Sequence, residues 1–262
     1  MIIVNVCRKA STKPKHLNYE ILCAYATMIA AHIILTLEVT VLMKIISDIR
    51  LYKSSETENH VSFASKSLNL AVRRVAMKLR EQQFSLGTFD HLYLNFTVCQ
   101  PVGTITLIDE ADPYHLWYRY CDIGVSLDEY RMLVTDDCTE FVYEKIEAVL
   151  LDKFCSGEAA NKTVKDAITE AKKGPEMLML FKEKKSAKNA AFIYLRLLDN
   201  GNYRPLLCVN DLDGKEILRA DLPETVDLGI IGSIQLSSKK VTINPRNNAF
   251  TGNLEPITFH LS

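Results

Sequence analysis

The sequence predicts an α+β fold, with N-terminal helices packed on an antiparallel sheet, followed by a mostly antiparallel β domain with one helix. Three observations lead to this prediction. Apolar residues make up 48% of the 262 residues and charged residues 24%, as in globular proteins. Some segments repeat apolar residues at helical spacing, and others alternate apolar and polar residues as strands do. A small, polar segment at 155–163 separates two parts, so we expect domains at 1–155 and 156–262.

The N-terminal part contains one unusually apolar stretch. "IIVNV" at 2–6 predicts a first strand because β-branched residues favour strands. Residues 21–45, "ILCAYATMIAAHIILTLEVTVLMKI", carry a stripe with alternating spacings of three and four, which predicts one long buried helix over about 18–51. An alternative is a strand at "TLEVTV", 36–41, which alternates strictly. A membrane span is the other alternative, but Glu38 falls inside the roughly 20 residues that a span needs, so we expect no membrane association.

The next elements are a basic helix, three strands and an acidic helix. Leu68, Val72, Val75 and Leu79 predict a helix over 65–83 with one buried face. Alternation predicts strands at 91–98, 103–109 and 115–125, arranged as a meander. The helix predicted over 135–154 buries Val142, Ile146, Val149 and Leu150, and Asp137 with Glu140 resembles a capping box at its start.

The C-terminal part reads as one helix followed by strands. The helix is predicted over 162–173, where Gly174-Pro175 ends it. Turn signals at 199–201 and 211–214 separate segments that alternate, which predicts an antiparallel sheet. The predicted strands are "EMLMLF", "AAFIYLRLL", "YRPLLCV", "KEILRA" and "KKVTINP".

The cysteines and the missing motifs limit the function classes. Seven cysteines are scattered without any C-x-x-C pair, which favours reduced thiols and a cytoplasmic location over a disulfide framework or a zinc site. The sequence has no phosphate-binding loop, dinucleotide fingerprint or nucleophile elbow. We therefore expect a non-enzymatic protein without a cofactor.

One polar cluster keeps an enzymatic alternative open. "DEADPYH" places Asp109, Glu110, Asp112 and His115 within seven residues, and such groups could bind a metal or act as acid and base. Asp-Pro is also ordinary turn chemistry. We interpret the segment as a solvated hairpin turn with no metal site, and keep a small enzyme as the alternative.

Charge is distributed unevenly along a nearly neutral chain. The net charge is −1, yet residues 109–158 carry 13 Asp and Glu against 4 Lys and Arg, a net charge of −9. We name as the acidic helix face Asp136, Asp137, Glu140, Glu144 and Glu147. Acidic residues at a helix start are stabilised by the helix dipole, but Glu140 and Glu144 repel each other. The face is either solvated or binds a cationic protein, and we predict binding.

A nucleic-acid partner is the third hypothesis. The helix over 65–83 carries five cations that could contact phosphates. They are Lys66, Arg73, Arg74, Lys78 and Arg80. Aromatic stacking partners are absent from this helix sequence, so we expect no nucleic-acid partner.

These features together resemble one class of bacterial proteins. An α+β chain with "FDHLYLNFTVCQPVGTI" at 89–105, no catalytic motif and a local acidic block is similar to the immunity proteins of polymorphic and contact-dependent toxins. The resemblance covers residues 1–155 and rests on the general pattern, so no family residue is assigned to a position here. It implies a stoichiometric inhibitor that binds a cationic toxin domain and blocks its active site.

Overall fold

The computed structural model describes residues 43–110, 114–135, 138–248 and 253–261. By its contacts the chain divides into Met1–Met43 and a compact unit, Lys44–Ser262. Helices and several sheets occur together in the second unit, which confirms the α+β class. The strand predicted at 2–6, the alternative strand at 36–41 and residues 18–42 of the helix predicted over 18–51 lie outside the described residues.

Five strands form the first sheet. They are β2 Asp48–Ser54, β3 Val61–Ser62, β5 His91–Thr97, β6 Ile105–Leu107 and β7 Tyr118–Gly124, in the order β3-β2-β5-β7-β6. A separate pair joins β1 Lys44–Ile45 to β4 Ser85–Gly87. The prediction that residues 43–51 continue a helix is wrong. Ile49 and Leu51 are buried and alternate with the more exposed Asp48 and Arg50, which is the period of a strand.

The central strands of this sheet are parallel, so both the predicted meander and the predicted antiparallel sheet are wrong. Asp48 pairs with His91, and His91 with Tyr118, in two parallel ladders. Strand β6 is antiparallel to β7 at the sheet edge. A parallel neighbour requires a crossover, and the helix Lys66–Glu81 supplies it between β2 and β5.

Four helices are described in this unit: α1 Lys66–Glu81, α2 Leu127–Met132, α3 Thr139–Phe154 and α4 Glu158–Ala171. Helix α1 packs on β2 and on α4, and α4 packs on α3. The predicted inward residues of α1 are at most 3% exposed, and those of α3 are fully buried, so both predicted faces are confirmed. Ser65 caps α1 by accepting from the backbone N–H of Leu68 at 3.2 Å.

Three helix starts differ from the prediction. Helix α3 begins at Thr139, and its N-cap residue, Cys138, makes no capping bond through its side chain; Asp137 of the predicted capping box lies outside the described residues. A complete capping box, Ser126 with Glu129, instead opens α2, which the sequence did not predict. Helix α4 begins at Glu158, four residues before the predicted start, so part of the predicted linker is helical.

The C-terminal sheets are antiparallel, as predicted. Strands β8 Met179–Lys185, β9 Asn189–Leu197, β10 Tyr203–Asp211 and β11 Glu216–Asp221 form one sheet in sequence order. Strands β12 Ser233–Leu236, β13 Lys240–Asn244 and β14 Ile257–His260 form another. Short 3-10 helices lie at Gly174–Glu176 and Leu228–Ile230. Gly201 (φ +91°) and Gly214 (φ +83°) take the left-handed backbone that the two predicted turns require.

Helix α1 contacts elements on both sides of residue 155, since it packs against β2, α4 and β8. The division into domains at residues 1–155 and 156–262 stays a prediction. Among the described helices, none has the length and apolar character to cross a membrane.

Candidate protein-binding surface

One face of the five-stranded sheet is covered with aromatic rings. Alternation directs Leu51, Leu92 and Leu94 into the core beneath the helices, where they are at most 2% exposed. The residues between them point to the opposite face. We call this surface the aromatic face, and its rings belong to Tyr52, His60, His91, Tyr93, His115, Trp117, Tyr118 and Tyr120. Central parallel strands usually bury both faces under apolar residues, so this composition is unusual.

The rings hold one another in a continuous network. Tyr93 stacks on Tyr118 with centroids 4.4 Å apart, and Tyr120 meets Tyr93 edge-on at 5.4 Å. Tyr52 contacts Tyr93 at 5.4 Å. The guanidinium of Arg50 lies 5.4 Å from the centroid of the Tyr93 ring. Each aromatic pair is worth about 0.5–1.5 kcal/mol beyond its buried area, so the network keeps the rings in fixed positions.

His60 joins this network and has a strained backbone conformation. Its φ is +48°, in the left-handed region that residues with a Cβ seldom adopt, although histidine does so more often than most. Its ring stacks on Tyr120 at 4.0 Å. Such backbone strain costs about 1–3 kcal/mol and is concentrated at functional sites in proteins. The strained backbone of His60 is therefore a second indication that the aromatic face is a functional site.

The edge of the face is exposed. Tyr114 is 84% exposed, Leu116 62% and Trp117 42%, and all three precede β7. His115 is also exposed, and its ring stacks on Tyr118 at 5.5 Å. A large apolar group at the rim of a rigid aromatic platform is typical of a binding surface.

A polar cluster lies at the carboxyl ends of the parallel strands. Asn95 donates through Nδ2 to Asp122 Oδ1 at 2.8 Å and to Ser54 Oγ at 2.9 Å, and Gln100 donates to Asp122 Oδ2 at 3.0 Å. The Oδ1 of Asn95 is buried and has no hydrogen-bond partner among the described residues. A buried acceptor without a donor is costly. In open parallel sheets this end is also where ligands bind.

The predicted polar cluster at 109–115 is divided by the fold. Asp109 and Glu110 are exposed, and they directly follow Ile108, whose N–H donates to the Tyr120 carbonyl at 2.9 Å. His115 joins the aromatic face, and Asp112 lies outside the described residues. Within the described ranges, no three His, Cys, Asp or Glu side chains come together as metal ligands would. Two exposed acidic residues thus directly follow the backbone position that pairs with Tyr120.

The acidic helix face is only partly as predicted. Asp136 and Asp137 lie outside the described residues. Glu140 and Glu144 are exposed, and Glu147 is half-buried. Glu140 forms an ion pair with Lys172, which follows α4. The repulsion predicted between Glu140 and Glu144 is thus partly offset by a cation at the end of another helix.

The cations of α1 form no continuous exposed face. Arg74 is 5% exposed and Lys78 is 9% exposed, so two of the five cations considered as phosphate contacts are buried. Arg74 donates to the Leu197 carbonyl, and Lys78 donates to the Leu178 carbonyl at 3.0 Å and pairs with Glu81. Arg80 donates to the carbonyls of Ile46 and Ser47. These three cations link α1 to neighbouring elements.

The sequence analysis did not predict the aromatic face, although the spacing of its aromatic residues is visible in the sequence. His91 and Tyr93 are two residues apart, and so are Tyr118 and Tyr120, which places each pair on one side of its strand. The strands were predicted, but only their parallel register brings the two pairs together. Comparisons with protein-family models, curated proteins and solved structures find no match to this chain.

Proposed function

We propose that this chain is a non-enzymatic inhibitor of the immunity-protein class, which neutralises a cationic toxin domain by stoichiometric binding through the aromatic face. The observation that carries the proposal is the network of eight rings on one face of the sheet, with Trp117 42% exposed at its rim. Tyrosine, tryptophan and arginine dominate the binding energy of protein interfaces, and this face presents all three.

The fixed geometry of the rings supports binding to a protein surface. Stacked rings lose little conformational freedom when a partner covers them, so the entropic cost of association is small. Tyr93, at the centre of the network, is only 6% exposed, and this burial raises the pKa of its hydroxyl. The area open to a partner therefore comes from Trp117 and from the half-buried rings around Tyr93, and aromatic side chains are enriched at the centre of protein interfaces.

The charges beside the face favour a cationic partner. Asp109 and Glu110 are exposed where the chain leaves the strand pair β6–β7, and Asp122 lies on the face itself. A lysine or arginine of the partner could pair with these carboxylates and stack on the rings. Single-stranded nucleic acid also stacks on aromatic platforms, but it needs a positive groove for its phosphates. The carboxylates would repel those phosphates, whereas Arg50 on the same face would attract them, so oligonucleotide binding is tested directly.

The experiment measures binding to the protein domain encoded by the adjacent upstream gene, produced separately and titrated by calorimetry. We expect a one-to-one complex. Trp117→Ala should weaken it by about 30-fold, which corresponds to the roughly 2 kcal/mol of an interface hot spot. Leu212→Ala is the matched control, because Leu212 is 73% exposed in the β10–β11 turn. The control should bind like the wild type.

Three results would count against the proposal. One is the absence of binding by that domain. Another is equal affinity of the Trp117→Ala variant, the Leu212→Ala variant and the wild type. The third is tight binding of a single-stranded oligonucleotide that is lost in Trp117→Ala, which would make the face a nucleic-acid platform.

A further inference from the structure

A basic cavity lies beside the aromatic face, at the amino end of β2. Its volume is about 400 Å³, and it lies between the first residues of β2, one side of α1 and Tyr203 at the start of β10. Three arginines line it: Arg50 from β2 and Arg73 and Arg80 from α1. Asp48 is the one carboxylate among its described lining residues. The lining therefore carries an excess of positive charge from three different positions.

Arg50 and Arg73 are each oriented by a hydrogen bond that leaves most of their N–H donors available to a ligand. Arg73 donates one bond, 2.7 Å long, to the Tyr203 hydroxyl, and its guanidinium lies 5.2 Å from the centroid of that ring. Arg50 donates through Nε to Asp48 at 2.8 Å. A guanidinium has five N–H donors, so one such bond orients the group without exhausting it. Oriented guanidinium groups bind planar or tetrahedral oxyanions with two bonds each.

The remaining lining groups suit a polar anionic ligand. Asn69 and Ser47 add neutral polar groups, while His91 lies at the junction with the aromatic face. The His91 Nδ1 lies 2.6 Å from Asp90 Oδ1, which leaves Nε2 on the other side of the ring. A cavity of this volume lies within the range for small organic ligands and exceeds the need of a bare inorganic anion.

We propose that this cavity binds a small organic phosphate, with Arg50 and Arg73 as the phosphate ligands. A phosphate monoester carries between one and two negative charges at neutral pH, which matches the charge excess of the lining better than a single carboxylate does. The rest of the ligand would occupy the cavity beside Met77 and Tyr203, which both line it and are largely buried. Arg50 and His91 belong both to this cavity and to the aromatic face, but phosphate binding is measured without the protein partner, so this proposal can fail or succeed separately from the proposed function.

The test is a calorimetric titration of the full chain with glycerol 3-phosphate and adenosine monophosphate. Glycerol, adenosine and succinate are titrated in parallel. We expect at least one phosphate to bind with a Kd of about 1 mM or tighter, and its dephosphorylated form and succinate to bind at least tenfold more weakly. Arg50→Gln and Arg73→Gln should each weaken phosphate binding about tenfold or more, as loss of a charged hydrogen bond does.

Two control variants separate binding from folding. Arg131→Gln removes one charge from α2, which follows the carboxyl end of β7, and should leave phosphate binding unchanged. Tyr203→Phe removes the hydroxyl that orients Arg73 and should cause a smaller loss than Arg73→Gln. The proposal fails if neither phosphate binds, if the dephosphorylated compounds or succinate bind equally well, or if Arg50→Gln and Arg73→Gln bind like Arg131→Gln.

Discussion

Arg74 provides the sharpest test of how the helices are joined to the C-terminal sheet. It lies on α1 with 5% of its surface exposed, and its Nε and one terminal nitrogen donate to the Leu197 carbonyl at 3.2 and 2.8 Å. The same terminal nitrogen pairs with Asp199 at 2.7 Å. Replacing Arg74 with Met keeps most of the apolar stem and removes every charged donor.

The expected cost follows from these contacts. A hydrogen bond that involves a charged group contributes about 1.5–3 kcal/mol, and we count the shared donation to Leu197 as one such bond. The Asp199 side chain is 74% exposed, so its ion pair adds only about 0–1 kcal/mol. Arg74→Met should therefore lower the free energy of unfolding by about 1.5–4 kcal/mol. For a chain of this size, that corresponds to a fall in Tm of about 3–16 °C.

Urea unfolding followed by circular dichroism measures this change. Asp199→Asn should cost less than about 1 kcal/mol, because it removes only the exposed partner. Lys165→Met, on the exposed side of α4, should change stability by less than about 0.5 kcal/mol. A loss for Arg74→Met no greater than that of Lys165→Met would refute the reasoning.

Two further predictions concern the acidic helix and the thiols. Replacing Glu144 and Glu147 with Gln should leave stability unchanged or raise it by a few tenths of a kcal/mol, and should slow association with the toxin domain and reduce its salt dependence. Association rates measured across ionic strength check this, and identical salt slopes would make the acidic helix face merely solvated. All seven cysteines should titrate as free thiols in denatured, unreduced protein. In the native state Cys99 should react quickly because it is exposed, whereas Cys121 should react only on unfolding, since burial raises the pKa of its thiol to about 12. Equal native rates for Cys99 and Cys121 would contradict this.

Several elements could be predicted because one local pattern decides them. The stripe Leu68, Val72, Val75 and Leu79 has only one periodicity, and it lies inside α1. The alternating segments of β9 and β10, joined by a glycine turn, likewise allow one interpretation. Strand β2 was missed because its first apolar residues also continue a helical stripe from the preceding sequence, and short apolar runs fit both periods.

The candidate surfaces were harder to predict, because they depend on contacts between distant segments. The charge of Glu140 is visible in the sequence, but Lys172 is 32 residues away and reaches it only through the packing of α4 on α3. Arg74 looks like a surface cation in a helical projection, and its burial depends on the end of β9. Side-chain pairing across elements follows the tertiary fold, so a local pattern cannot supply it.

The sequence alone determined the α+β class, the buried faces of α1 and α3, the antiparallel C-terminal strands and the uneven charge. Each of these follows from spacing or composition within a single segment. Only the tertiary structure decided that β2, β5 and β7 are parallel, and hence that Tyr52, Tyr93 and Tyr120 share one face. It also placed Arg50 and Arg73 at one cavity. The physical reason is that the direction of strand pairing depends on the crossover and on long-range packing, and these bring together side chains that no local periodicity relates.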